Sequence, residues 1–424
     1  MDKNGPQTYL WQMNAQAPAR FLDRATPPHI STLVLMAGIS ALSMNIFLPS
    51  LPAMTAHFQT EYHLMQLSVA LYLGMVAVLQ ILIGPMADKF GRRPVVIWSS
   101  LIFLAATLGC IFASNAYVFL VFRMIQAAIS TGLVLSRAII RDTTDQSNAA
   151  SKIGYVTMGM AVIPMFSPAI GGLLDQAFGW QANFTMLFVF GALVLGLAWL
   201  DLGETGTPST ITLLAQFRQY PDLITSRRFW GYSLIAAFSS GAFFAYLGGA
   251  PFVGDSVYGL TSFQLGLYFG ITALGYMIGN FLSGRYSVRV GIDRMILIGS
   301  LIIVSGLALA LIVNLSGAQH PMLFYGFMIF VGLANGLVLP NATSGLLSAR
   351  PHLIATASGL GGAIMIGGGA ALSALAGAVL QPGSGATPLL VIMLVSAVGG
   401  LLSYGYVAYI NRIDGALAAQ GGHG

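Results

Sequence analysis

Residues 84–94 read Gly84-Pro85-Met86-Ala87-Asp88-Lys89-Phe90-Gly91-Arg92-Arg93-Pro94, a short charged turn wedged between two apolar runs. The flanking runs, 64–86 and 94–113, hold no Asp, Glu, Lys or Arg at all. A bilayer span needs about 20 mostly apolar residues, and in lipid such a run satisfies its own backbone as a helix. Counting outward from the turn yields twelve runs: 30–56, 64–86, 94–113, 116–140, 150–173, 182–201, 229–252, 262–284, 292–313, 321–345, 352–379 and 386–411. A transmembrane barrel would need short alternating segments, which the sequence lacks.

The connections alternate in chemistry. Lys89, Arg92 and Arg93 follow the second span; Arg137, Arg141 and Lys152 the fourth; Arg218, Arg227 and Arg228 the sixth; Arg285, Arg289 and Arg294 the eighth; Arg350 the tenth. Lys3, Arg20, Arg24 and Arg412 lie in the tails, so all but one of the 18 basic residues fall on one side. The positive-inside rule places that side and both termini in the cytoplasm. A missed or invented span would scramble the alternation. The expected location is the cytoplasmic (inner) membrane of a bacterium, with the lipid bilayer as the main partner.

Composition agrees. Of 424 residues 56% are hydrophobic and 7% charged, and the mean hydropathy is +0.79. A soluble domain carries about 25% charged residues. Too few charges remain to coat a soluble enzyme, a nucleic-acid binder or a disordered chain, and the pI near 9.3 belongs to the loops. Cys110 stands alone, so no internal disulfide or cysteine-built metal site is expected. No apolar run precedes residue 30, and no cleavable signal peptide is read there. The polar stretch 202–227 separates two halves. The expected organisation is a tail (1–28), a six-helix bundle (29–201), a linker (202–227), a second bundle (228–412) and a tail (413–424). Gly84, Lys89 and Gly91 recur as Gly284, Arg289 and Gly291, 200 positions later, where a duplicated unit would put them.

In the fourth span Arg123, Gln126, Ser130, Arg137 and Arg141 are spaced 3, 4, 7 and 4 apart and share one helix face. Arg123 lies on the order of 10 Å deep. A charge near the bilayer centre costs roughly 2.5–3.5 kcal/mol, so it must meet a watery cavity, a ligand or polar partners. We read Arg123 and Gln126 as facing a central cavity; the alternative is an arginine satisfied within its own bundle.

The turn at 84–94 resembles the signature loop of the major facilitator superfamily of secondary transporters. Gly84 suits close helix approach, Gly91 a turn with positive φ, and Pro94 a first helical turn; Lys89 stands where the family usually has Arg. The resemblance implies a cytoplasmic latch of Gly84, Asp88, Lys89, Gly91, Arg92, Arg93, Arg137, Arg141 and Asp142, paired when that side is closed and parted when it opens. Arg123-x-x-Gln126 is similar to a motif of the drug/proton antiporters. Pro164-x-x-x-Pro168-x-x-Gly171-Gly172 resembles the antiporter motif of their Bcr/CflA group, which implies a gate sealing against the eighth span and its Gly266, Gly270, Gly275 and Gly279. Asn45-Ile46-Phe47-Leu48-Pro49, Ala250-Pro251-Phe252-Val253, Arg137-Ala138-Ile139-Ile140-Arg141-Asp142 and Leu339-Pro340-Asn341-Ala342 look like the same group, and the likeness covers about 30–411. One departure stands out: Asn45 occupies a position that is commonly acidic in the family, and no carboxylate lies in the middle of any span.

The expected protein is all-α, with twelve transmembrane helices in two pseudo-symmetric bundles. It exports small, largely apolar drugs by alternating access in exchange for protons. Either a peripheral acid such as Asp255 or Asp142 carries the proton, or coupling differs from that of the family the chain resembles. Further cavity candidates are Asn45, Tyr246, Tyr276, Asn280, Asn335 and Asn341, each alternatively a helix-packing residue. No Gly-Lys-Ser or Gly-Lys-Thr occurs and the six His are scattered, so neither ATP, metal nor another cofactor is expected. A monomer is expected. Rival readings are an importer of a small metabolite, an exporter of an endogenous one, a membrane enzyme and a channel.

Overall fold

Prolines set the shape of the first helix. Its regular part, Ile30–Asn45, stops before Pro49; a 3-10 turn at Leu48–Ser50 follows, and Leu51–His57 completes the span. The computed structural model describes residues 19–144, 146–206, 220–317, 320–350 and 353–421. We number the long helices α1 (Ile30–His57), α2 (Tyr62–Phe90), α3 (Arg92–Ile111), α4 (Ala116–Thr143), α5 (Gln146–Phe178) and α6 (Gln181–Asp201). The second set is α7 (Arg227–Ser256), α8 (Ser262–Val290), α9 (Ile292–Leu315), α10 (Pro321–Ser348), α11 (Thr356–Val379) and α12 (Thr387–Ile413).

Eleven of these are long and apolar enough to cross a membrane among the described residues. The other, α5, is a continuous helix of 33 residues whose side chains are described only in part. Of the stretch read as a linker, 207–219 lies outside the described residues, and Tyr220–Ile224 forms one short helix. Lys3 and Arg218 also lie outside them. The helices start where side chains replace missing amide partners. Asn115 accepts from the Val118 amide ahead of α4. Thr261 and Gln264 form a reciprocal cap ahead of α8.

In the first half α1 packs on α4, α5 and α6; in the second, α7 packs on α10, α11 and α12. The halves meet along α5 against α8 and α2 against α11. Glycine makes the first seam possible. A Cβ on Gly172 would collide with the Ser262 carbonyl of α8, and one on Gly266 with the Pro168 carbonyl of α5. Side chains clasp the same end. The Tyr62 hydroxyl donates to the Gly248 carbonyl at 2.7 Å, and Gln66 Nε2 donates to the Ser373 carbonyl at 2.6 Å. This sealed end lies opposite the charged turn, because Tyr62 opens α2 and Phe90 closes it.

The turn itself is built twice. Gly91, between α2 and α3, has φ +94° and ψ 155°; Gly291, between α8 and α9, has φ +89° and ψ 148°. Other residues adopt this backbone only with strain.

Candidate functional site

A cavity of about 70 Å³ lies between the halves. Asn45 of α1 and Pro164 and Pro168 of α5 form one wall; Phe243, Tyr246 and Leu247 of α7 and Phe269, Thr272, Ala273 and Tyr276 of α8 form the other. The sequence positions each part. The prolines remove backbone donors where α5 must pass close to α1 and α8. Asn45 turns its amide back to the Ala41 carbonyl at 2.7 Å, satisfying its donor inside the helix. The hydroxyls of Tyr246 and Thr272 are buried beside each other, Tyr246 interacting with Thr272. Such hydroxyls can turn to accept from or donate to a ligand. The rest of the wall is aromatic and aliphatic, which suits small apolar molecules.

Arg123 is elsewhere. Its guanidinium is fully buried inside the first bundle, closed over by the rings of Tyr72 at 4.0 Å and Phe47 at 4.3 Å. It donates to Ser43 Oγ at 3.2 Å, to the Ser43 carbonyl at 2.8 Å and to Gln126 Oε1. Gln126 passes the chain on to Thr107 Oγ1 at 2.8 Å. Aromatic faces and carbonyl oxygens take the place of a carboxylate counterion. In this conformation the reading of Arg123 and Gln126 as cavity residues is therefore corrected: helical spacing gave their shared face, and α1, α2 and α3 occupy that face.

Asn335 and Asn341 are likewise off the cavity wall. Each bonds the carbonyl four residues back, and each reaches a neighbouring helix: Ser239 Oγ donates to Asn335 Oδ1 at 3.3 Å, and Asn341 Nδ2 donates to Ser283 Oγ at 2.9 Å. Asn280 bonds the Tyr276 carbonyl of its own helix at 2.8 Å. Of the residues named for a cavity, the structure brings together Asn45, Tyr246 and Tyr276.

The charged turn forms a network. Arg92 pairs with Asp88 at 2.9 Å and with Asp142 at 3.1 Å, joining the ends of α2, α3 and α4. Lys89 lies over the Phe90 ring and Arg93 over the Trp199 ring. Arg137 and Arg141 are exposed, and a Cβ on Gly84 would meet open space. Among the described residues these pairs all lie within the first half.

Two acids that the sequence reading passed over are central here. Glu204, just past α6, accepts from the Arg92 amide at 2.8 Å and the Arg93 amide at 3.2 Å, capping α3. Asp201 is fully buried and accepts from the Leu22 amide at 2.7 Å and the His29 amide at 2.9 Å. Their one sequence signal is that they close or just follow an apolar helix at the end where the basic residues gather. No group of His, Cys, Asp and Glu able to hold a metal occurs among the described residues.

Comparison with known proteins matches the model of the Major Facilitator Superfamily to residues 33–374. An uncharacterized MFS-type transporter, YdgK of Bacillus subtilis (strain 168), is 29% identical over 386 residues, covering 88% of this chain and 93% of that protein. The chloramphenicol resistance protein of Pseudomonas aeruginosa is 28% identical over 334 residues, 77% of this chain and 79% of that one. Among solved structures, the peptide transporter POT in complex with sulfate superposes with a TM-score of 0.75 at 15% identity, covering 94% of this chain and 98% of that chain.

Proposed function

Because the chain belongs to the Major Facilitator Superfamily and is an integral membrane protein of that fold, we propose that it exports small, largely apolar drugs by alternating access. The observation that carries this reading is the cavity between the halves, with its seam sealed at the end away from the basic loops. With those loops in the cytoplasm, this is the state that receives substrate from the cytoplasm or inner leaflet. Opening the α5–α8 seam, with Pro164, Pro168, Gly171 and Gly172 as its gate, would release substrate outside. The chloramphenicol resistance of the Pseudomonas relative supports a drug as cargo.

Asn45, Tyr246 and Tyr276 are the proposed substrate contacts. Asp88, Arg92 and Asp142 are paired while the cytoplasmic side is read as open, so they brace the ends of α2, α3 and α4 within the first half, and Glu204 holds the start of α3. Arg123 acts as a brace between α1, α2 and α4. Protons are the proposed coupling ion. Among the described residues every carboxylate lies toward or beyond a helix end, so exchange runs through such a group, Asp142 or Asp255.

The test is a drug-susceptibility panel in an efflux-deficient bacterium, with and without a protonophore. The chain raises tolerance to at least one small apolar drug, and the protonophore removes the gain. Tyr246→Ala lowers tolerance at equal expression. Unchanged tolerance to every compound overturns export, and protonophore-insensitive tolerance overturns proton coupling.

A further inference from the structure

Two cations share one ring where α3 begins and α6 ends. The guanidinium of Arg24 lies 5.6 Å from the centroid of the Trp199 ring, and that of Arg93 lies 5.2 Å from the same centroid. Arg93 Nη2 also donates to the Trp199 carbonyl at 3.4 Å, while its Nε is buried with no hydrogen-bond partner among the described residues. Among those residues neither guanidinium forms an ion pair.

Arg24 is held in place from both sides. Asp201 accepts from the Leu22 and His29 amides, and Thr26 Oγ1 accepts from the Arg20 amide at 3.0 Å. Main-chain amides also engage the other acids of this corner. Asp23 accepts from the Ala25 amide at 3.1 Å, and Glu204 from the amides of Arg92, Arg93 and Gly206. Asp88 and Asp142 pair with Arg92. Glu204 offsets part of the Arg93 charge, and the like charge of Arg24 opposes it.

An apolar lane leads to the ring. Val189, Leu193, Gly196 and Leu200 follow one another at intervals of 4, 3 and 4 and share one face of α6. The three large residues are exposed, and a Cβ on Gly196 would meet nothing within 4 Å. Trp199 is exposed at the helix end, the level at which indoles mark the membrane–water interface. Guanidiniums at that level, above a shallow apolar lane, fit a phosphodiester anion that carries acyl chains.

We propose that Arg24 and Arg93, seated on Trp199, bind the headgroup of an anionic phospholipid whose acyl chain lies along the α6 face of Leu193, Gly196 and Leu200. The site is on the outer surface of the first bundle, so the inference stands apart from the export reading.

Native mass spectrometry of the purified full chain tests it, with phosphatidylglycerol and phosphatidylcholine of identical acyl chains. The wild type retains phosphatidylglycerol about tenfold more than phosphatidylcholine, as two charge-assisted contacts imply. Arg24→Gln and Arg93→Gln each lose part of that preference, and the double variant brings the ratio close to one. Should the double variant not fold, Arg24→Gln, at an exposed position, carries the test. Arg289→Gln, exposed at the matching turn of the second half, leaves the ratio unchanged. Equal retention of the two lipids by the wild type, a ratio unmoved in Arg24→Gln, or an equal fall in Arg289→Gln overturns the proposal. Displacement of phosphatidylglycerol by millimolar inorganic phosphate marks a soluble-anion site and overturns it as well.

Discussion

The turn after α2 and the turn after α8 share a backbone and little else. Gly91 and Gly291 adopt nearly the same dihedral angles, 200 positions apart. Around Gly91 the space is filled: an added Cβ would strike the Glu204 carboxylate. Around Gly291 nothing lies within 4 Å of such a Cβ. Where the first turn has Asp88, Arg92 and Arg93, the second has Val288, Ile292 and Asp293, and Val288 is 96% exposed. Asp293 accepts from the Tyr232 hydroxyl at 2.8 Å and Asn411 Nδ2 at 3.2 Å, tying α9 to α7 and α12. The same glycine turn thus occurs in both halves, while among the described residues the Asp–Arg pairs gather at the first. The two bundles can be alike in shape and unlike in what they do during the cycle.

The contrast can be broken most forcefully at Arg92. Arg92→Ala removes both ion pairs of the first turn, and the export rate per molecule in proteoliposomes falls about tenfold, as loss of about 1.4 kcal/mol implies. Ile292→Ala, its counterpart, changes that rate by less than about twofold. Equal losses at the two positions would show that the two turns do the same work. Next come the glycines. Gly91→Ala meets both backbone strain of about 1–3 kcal/mol and displacement of Glu204, whereas Gly291→Ala meets the strain alone. Thermal unfolding in detergent should place the first variant below the second. Glu204→Gln weakens the charge-assisted cap on α3 by about 2 kcal/mol, visible as faster amide exchange at Arg92 and Arg93. The smallest effect is at Tyr232→Phe, which loses one bond to Asp293 and about 1 kcal/mol, read as a small drop in the same thermal midpoint.

Much of this architecture is legible in the chain itself because its signals are local. Apolar run length, the side on which Lys and Arg gather, and the spacing of Gly84, Asp88, Gly91 and Arg92 each speak within a dozen residues. Arg123 shows where that stops. A periodicity of three and four says that Arg123 and Gln126 share a face. Whether that face meets water or Phe47, Tyr72 and Thr107 depends on how four helices are arranged. Asn335 and Asn341 show the same limit, since an asparagine in a span reads equally as a ligand contact or as a tie to the preceding turn. Glu204 and Asp201 escape for another reason. Their partners are main-chain amides, which carry no residue identity and leave no trace in a search for opposite charges.

The pair of hydrogen bonds that Asp201 accepts from the Leu22 and His29 amides has a practical corollary. They fasten the residues ahead of α1 to the foot of α6, both in the first bundle. A fluorophore or spin label placed near residue 20 would therefore report on that bundle as a fixed marker, and its separation from a second label on α9 would show whether the two bundles move relative to one another.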